Sequence, residues 1–105
     1  MDHIEKNILD IFITLMRKKI KINDVVLFGS RARGDAEPDS DMDVLVVVDG
    51  LTEEMEDYIS ECAWEAGFER GIVLVPVVFS RNDWEEGPER YSLLSEAIMS
   101  EGVYL

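Results

Sequence analysis

The sequence predicts an α/β fold, a small mixed sheet flanked by helices, and three observations carry that reading. Short runs rich in β-branched and apolar residues, at 25–28, 42–48 and 71–79, have the length and composition of buried strands. Stretches with apolar residues at helical spacing lie before and between them, and a further one follows Gly87-Pro88. The order α-β-(short α)-β-α-β-α is that of helices layered on a sheet. With 105 residues, 47% of them apolar, the chain has material for one core, and a single domain over 1–105 is expected.

Each element has its own justification. Over residues 3–19 the side chains of Ile4, Ile8, Ile11, Phe12, Leu15 and Met16 fall on one helical face. Asp2 followed by Glu5 has the form of a capping box, and Arg17, Lys18 and Lys19 suit a helix C-terminus. Val25-Val26-Leu27-Phe28 reads as a short buried strand, and Gly29-Ser30-Arg31-Ala32-Arg33-Gly34 as a tight turn able to open a short helix. Asp35–Ser40 is a polar loop containing Pro38, and residues 42–48 form the next strand, ended by Asp49-Gly50.

Residues 53–66 place Met55, Tyr58, Ile59, Cys62, Ala63 and Ala66 on one helical face. Thr52 is the expected N-cap, and Gly67 the expected C-cap with Phe68 folding back. In the strand over 71–79, Pro76 lacks an N–H and belongs at a sheet edge or in a bulge. Gly87-Pro88 starts a last helix whose apolar face is Tyr91, Leu94, Ala97 and Ile98; Gly102 ends it, and Val103-Tyr104-Leu105 trails off. Three strands are few, so one sheet edge is expected to be covered by a partner.

Charge excludes several functions. Ten Lys+Arg against 23 Asp+Glu give a net charge of −13. Such a surface does not neutralise phosphates, so direct nucleic-acid binding is not expected, and neither is an anionic membrane surface. Metal ions and a basic protein partner are compatible with it. No apolar run reaches membrane-spanning length, and Asp2 and Glu5 stand where a signal peptide would carry bases, so a cytoplasmic protein is expected. With a single Cys, Cys62, and a single His, His3, there is neither an internal disulfide nor a structural zinc site. Cys62 reads as a buried thiol and Trp64, off the apolar face, as a candidate interface anchor; Trp84 reads as a lid over the last helix.

The chemistry lies in Gly29-Ser30, ten further residues, and then Asp41-Met42-Asp43. Side chains alternate along a strand, so Asp41 and Asp43 share a face about 6.5–7 Å apart, with Met42 on the other. Adjacent carboxylates repel unless a cation lies between them. Mg²⁺, or Mn²⁺, accepts such oxygen ligands and completes its shell with phosphates. A Gly-Ser turn leaving a buried strand exposes backbone N–H groups and a hydroxyl suited to phosphate, and Arg31 and Arg33 add charge of the right sign. Taken singly, a Gly-Ser at a strand end is ordinarily a turn, and paired acids at a strand entry are ordinarily a solvated edge. The fixed spacing, between one buried strand and the next, distinguishes this pair.

Gly29-Ser30-(x10)-Asp41-x-Asp43 resembles the signature of the nucleotidyltransferase superfamily that includes DNA polymerase beta, poly(A) polymerase and kanamycin nucleotidyltransferase. The fuller string from Gly29 to Asp43 is similar to that of the minimal, stand-alone prokaryotic nucleotidyltransferases. The resemblance implies the nucleotidyltransferase fold. It also implies that Asp41 and Asp43 hold Mg²⁺ against the triphosphate of an NTP, ATP foremost, while Gly29 and Ser30 take the phosphates. An acceptor hydroxyl would then displace pyrophosphate. Minimal members often act as antitoxins beside a helical toxin of the HEPN type, some of them adenylylating a tyrosine of it. A third carboxylate is usual on the strand corresponding to 71–79, yet that strand holds no acid; Glu69 precedes it and Asp83 follows. Two readings therefore stand, a Mg²⁺-dependent transferase and a degenerate nucleotidyltransferase-fold antitoxin or scaffold, beside a third, an unrelated acidic interaction domain. Either of the first two is expected to work in a complex, as a homodimer or with a basic helical toxin-like protein.

Overall fold

In the computed structural model, which describes residues 1–88 and 92–105, the helices are α1 (His3–Arg17), α2 (Ser30–Arg33), α3 (Glu53–Phe68), α4 (Arg81–Glu86) and α5 (Leu93–Glu101). The strands are β1 (Ile22–Phe28), β2 (Met42–Val48), β3 (Leu74–Ser80) and β4 (Val103–Tyr104). They form one sheet in the order β3-β2-β1-β4. β1 runs antiparallel to both β2 and β4, and β2 runs parallel to β3, so the sheet is mixed as expected. The parallel pair requires a crossover, which α3 supplies.

Alternation divides the sheet into two faces. Val25 and Leu27 of β1, Met42, Val44, Val46 and Val48 of β2, and Leu74 of β3 pack with Ile8, Leu9, Phe12 and Met16 of α1 and Ile59, Cys62, Ala63 and Ala66 of α3. Fully burying each large apolar side chain here contributes about 1.5–3 kcal/mol. The opposite face is smaller: Val26, Leu45 and Val47 meet Ile98 of α5, with Phe28, Phe79, Trp84 and Leu94 packed around them. Asp41 and Asp43 belong by parity to this second face.

The caps follow local chemistry. Asp2 accepts from the Glu5 amide at 2.7 Å and Glu5 accepts from the Asp2 amide at 2.9 Å, closing the expected capping box. Thr52 caps α3 by accepting from the Met55 amide. Tyr58 fastens α3 to α1 through its hydroxyl, which donates to the Leu15 carbonyl at 2.6 Å. No helix among the described residues is long and apolar enough to cross a membrane.

Three expectations need correction. Val103-Tyr104 does not trail off: it is the fourth strand, pairing with Leu27 and Val26, so β1 is not the bare edge. The edge strands are the two-residue β4 and the longer β3, where Pro76 sits as expected. Gly67 does not end its helix. It lies inside α3 because a Cβ there would come within 1.9 Å of the Ile72 carbonyl oxygen; only glycine allows that approach, and Phe68 stays exposed. The last helix begins at Leu93, capped by Ser92, and Tyr91 lies outside the described residues. Before it runs α4, started by Ser80, whose hydroxyl accepts from the Asp83 amide; this helix presses Trp84 onto Phe79 at 5.4 Å between ring centres. Trp84 is thus part of the second core, packed with Leu94 and Ile98 of α5.

Candidate active site

β1 and β2 leave and enter the sheet side by side, and this brings the two halves of the motif together. Phe28 pairs with Asp43, so Gly29 follows directly beside that carboxylate. Gly29 has φ +77°, a conformation that favours glycine. A Cβ at Gly29 would lie 2.6 Å from Asp43 Oδ2, so the turn and the carboxylate are in contact and only glycine leaves room for both. The chain then turns into α2 at Ser30. No side chain caps α2 among the described residues. Its first amides therefore lack intrahelical acceptors next to Asp43.

Asp41 is exposed and Asp43 half-buried, while Met42 between them is fully buried in the main core. Burial, and secondly the Asp41 charge, push the Asp43 carboxyl above its ordinary pKa, opposed by the Arg33 guanidinium. This is the electrostatic signature of an acid pair that a cation would relieve. Among the described residues no three His, Cys, Asp or Glu side chains stand together as a ready cage. The donor set is two carboxylates with the remaining positions left to water or phosphate oxygens, which fits Mg²⁺ or Mn²⁺.

The two arginines have different places. Arg33 is exposed on the site's side, with Nε 3.2 Å from Asp35 and Nη1 3.2 Å from Glu101 of α5. Arg31 is buried, and its guanidinium is fully committed. Nη1 donates to Glu5 at 3.0 Å, Nε and Nη2 to the Ser40 carbonyl at 2.9 and 2.8 Å, and Nη2 also to the Pro38 carbonyl at 3.0 Å. The structure therefore gives Arg31 another place than the phosphate contact expected of it: it clamps the loop immediately before Asp41 to the start of α1. Glu5 and Glu101 were not singled out from the sequence as neighbours of the motif. Glu5 has a sequence rationale as a cap, and its partner 26 residues on leaves no local trace.

β3 supplies no third acid. Val75 pairs with Asp43, and Val77 and Phe79 continue the same face. Asp83, beyond the strand, is turned into the first turn of α4.

Comparison with known proteins agrees with this geometry. A family model described as a nucleotidyltransferase domain matches residues 9–105. A Methanocaldococcus jannaschii protein whose name assigns it as a protein adenylyltransferase is 34% identical over 64 residues, 60% of this chain and 65% of its own length. The chain thus matches just under two thirds of that relative. A chain of a toxin–antitoxin structure with AMP-PNP superposes with a TM-score of 0.62 at 21% identity, over 90% of this chain and 69% of that one. A chain of the MntA–HpeT toxin–antitoxin mutant gives 0.63 at 22%, over 93% and 71%. A chain from the complex of the MNT antitoxin with tri-AMPylated Shewanella oneidensis HEPN toxin gives 0.57 at 21%, over 96% and 70%. At these identities the structural likeness is one of fold. With the family model spanning nearly its whole length and Gly29 and Asp43 in contact at one end of the sheet, the chain belongs to the nucleotidyltransferase domain family.

Proposed function

We propose that the chain is an adenylyltransferase acting on a partner protein: it transfers the AMP moiety of ATP to a hydroxyl of a helical, HEPN-type toxin. The observation that supports the reading is the contact of Asp43 with Gly29, which sets the acid pair beside the glycine-serine turn. The name of the Methanocaldococcus relative and the complexes among the structural neighbours support the acceptor class.

The chain's own residues divide the work. Gly29 and Ser30 cradle the terminal phosphates with backbone amides and a hydroxyl. Arg33, held at the rim by Asp35 and Glu101, contributes positive charge beside Asp43. Asp41 and Asp43 hold the divalent cation, which when bound neutralises the triphosphate and polarises the phosphorus under attack. The acceptor oxygen forms a bond to the α-phosphorus, the bond from that phosphorus to the bridging oxygen breaks, and pyrophosphate leaves with that electron pair. The acceptor proton passes to water, since β3 offers only the apolar Val75, Val77 and Phe79 on that face. Positioning and charge thus supply the catalysis.

The same absence favours a second reading, a nucleotide-binding antitoxin that neutralises its partner without transfer. Intact-mass measurement of chain and partner after incubation with ATP and Mg²⁺ separates them. The transferase reading expects an AMP adduct on the partner, lost with Asp41→Asn/Asp43→Asn. A complex that forms and stays unmodified leaves the second reading standing.

A further inference from the structure

The far side of the sheet from the two aspartates carries an apolar surface that the nucleotide site does not use. Trp64 and Phe68 of α3 are 67% and 65% exposed, with ring centres 4.7 Å apart, and Val73 beyond them is 60% exposed. Between them and the start of β3 lies a groove of about 480 Å³, lined by Ser60, Trp64, Phe68, Val73 and Pro76 among others. A contacting pair of aromatics held in water beside a groove is an unusual exposure of apolar surface in a monomer.

The charge around the groove specifies what would cover it. Glu53, Asp57, Glu61, Glu65 and Glu69 recur every fourth residue, and all are exposed. On a helix that spacing makes one continuous row. It runs beside the neighbouring row of Ser60, Trp64 and Phe68, and α3 carries no Lys or Arg. The strand edge argues against an added strand. Met42 donates to the Val73 carbonyl, so the odd-numbered residues of β3 bond toward β2 and Pro76 stands in the outward row, where it removes a donor.

We propose that this groove docks a lysine- and arginine-bearing amphipathic helix of a partner protein, its apolar side chains on Trp64 and Phe68 and its cations along the carboxylate row. Apolar anchoring supplies the hold, and the carboxylate row supplies register and fast encounter. Leu74 pairs with Met42, so the groove lies at the same end of the sheet as Asp41 and Asp43, and a docked helix sits next to the nucleotide site across the β3 edge. The proposal rests on the partner reading only in taking the partner to be helical, and its test needs neither nucleotide nor transfer.

The test is fluorescence anisotropy of dye-labelled amphipathic peptides with the full chain. The probes are a Leu/Lys helix, its Leu/Glu counterpart, and a Leu/Lys peptide of the same composition with the helical spacing scrambled. The Leu/Lys helix is expected to bind, with Trp64→Ala/Phe68→Ala weakening it roughly tenfold or more. Glu61→Gln/Glu65→Gln/Glu69→Gln should weaken it less and flatten its salt dependence. These side chains are exposed, so circular dichroism should show the fold unchanged. Four results would overturn the proposal: no binding of the Leu/Lys helix, equal binding by the aromatic variant, equal binding of the scrambled peptide, or a homodimer in sedimentation that Trp64→Ala dissolves.

Discussion

Asp43 carries opposed demands, because the burial that places it against Gly29 also disfavours its charge. Its carboxyl is raised by burial first and by Asp41 second. A carboxyl whose pKa rises on folding is held protonated more tightly in the folded chain. Its stabilising effect is therefore complete below the unfolded value of about 3.9 and is lost as pH rises through the folded value. Asp43→Asn should accordingly raise the thermal midpoint at neutral pH and remove part of the decline above about pH 4; a lower midpoint at neutral pH would contradict this. Arg31 is the converse case, a buried cation whose three guanidinium nitrogens all donate hydrogen bonds. Arg31→Ala leaves the Glu5 charge buried without its ion-pair partner and frees the Pro38 and Ser40 carbonyls, so a loss of about 3–5 kcal/mol is expected in urea unfolding. Arg31→Met with Glu5→Gln removes both charges, keeps an acceptor for the Asp2 amide, and should recover part of that loss.

At the scale of elements, β4 shows how a two-residue strand can matter. Val103 packs on the main core, Val103 and Tyr104 pair with β1, and the Leu105 amide donates to the Val25 carbonyl at 2.9 Å. Deleting residues 103–105 should lower stability by about 2–3 kcal/mol, from lost strand pairing and lost burial, as read by chemical unfolding; an unchanged midpoint would show that β4 does not hold the edge. This strand was invisible in the sequence because two residues have no periodicity, and their pairing partners lie far back in the chain, Leu27 for Val103 and Val26 for Tyr104. α4 was missed for a related reason: six residues with two acids at their end carry no apolar stripe, and Trp84 finds its place only once Phe79 is beside it. By contrast α1, β2 and α3 were legible, since Ile8, Phe12 and Met16, the Val44–Val48 run, and Ile59, Cys62 and Ala66 repeat at the periods their structures demand. The meeting of Gly29 with Asp43 was legible through spacing. Arg31 was misplaced because charge identity says nothing about burial.

At the scale of the whole molecule, a charge of −13 on 105 residues is a strain the fold carries everywhere. Self-repulsion of that kind is screened by salt, so raising NaCl to about 1 M, where the Debye length is near 3 Å, should raise the thermal midpoint; a fall would mean that the exposed ion pairs outweigh the repulsion. The same surface is expected to repel nucleic acids, and the proposed cation site lies where two carboxylates meet a glycine turn. The central claim is that this place binds nucleotide through a divalent ion. Calorimetric titration of ATP into the chain, with Mg²⁺ and with EDTA, tests it most directly, repeated with Asp41→Asn/Asp43→Asn. Binding that needs Mg²⁺ and vanishes in the double variant is the expected result. Equal affinity for ATP in the parent and the variant, or with Mg²⁺ and with EDTA, would contradict it.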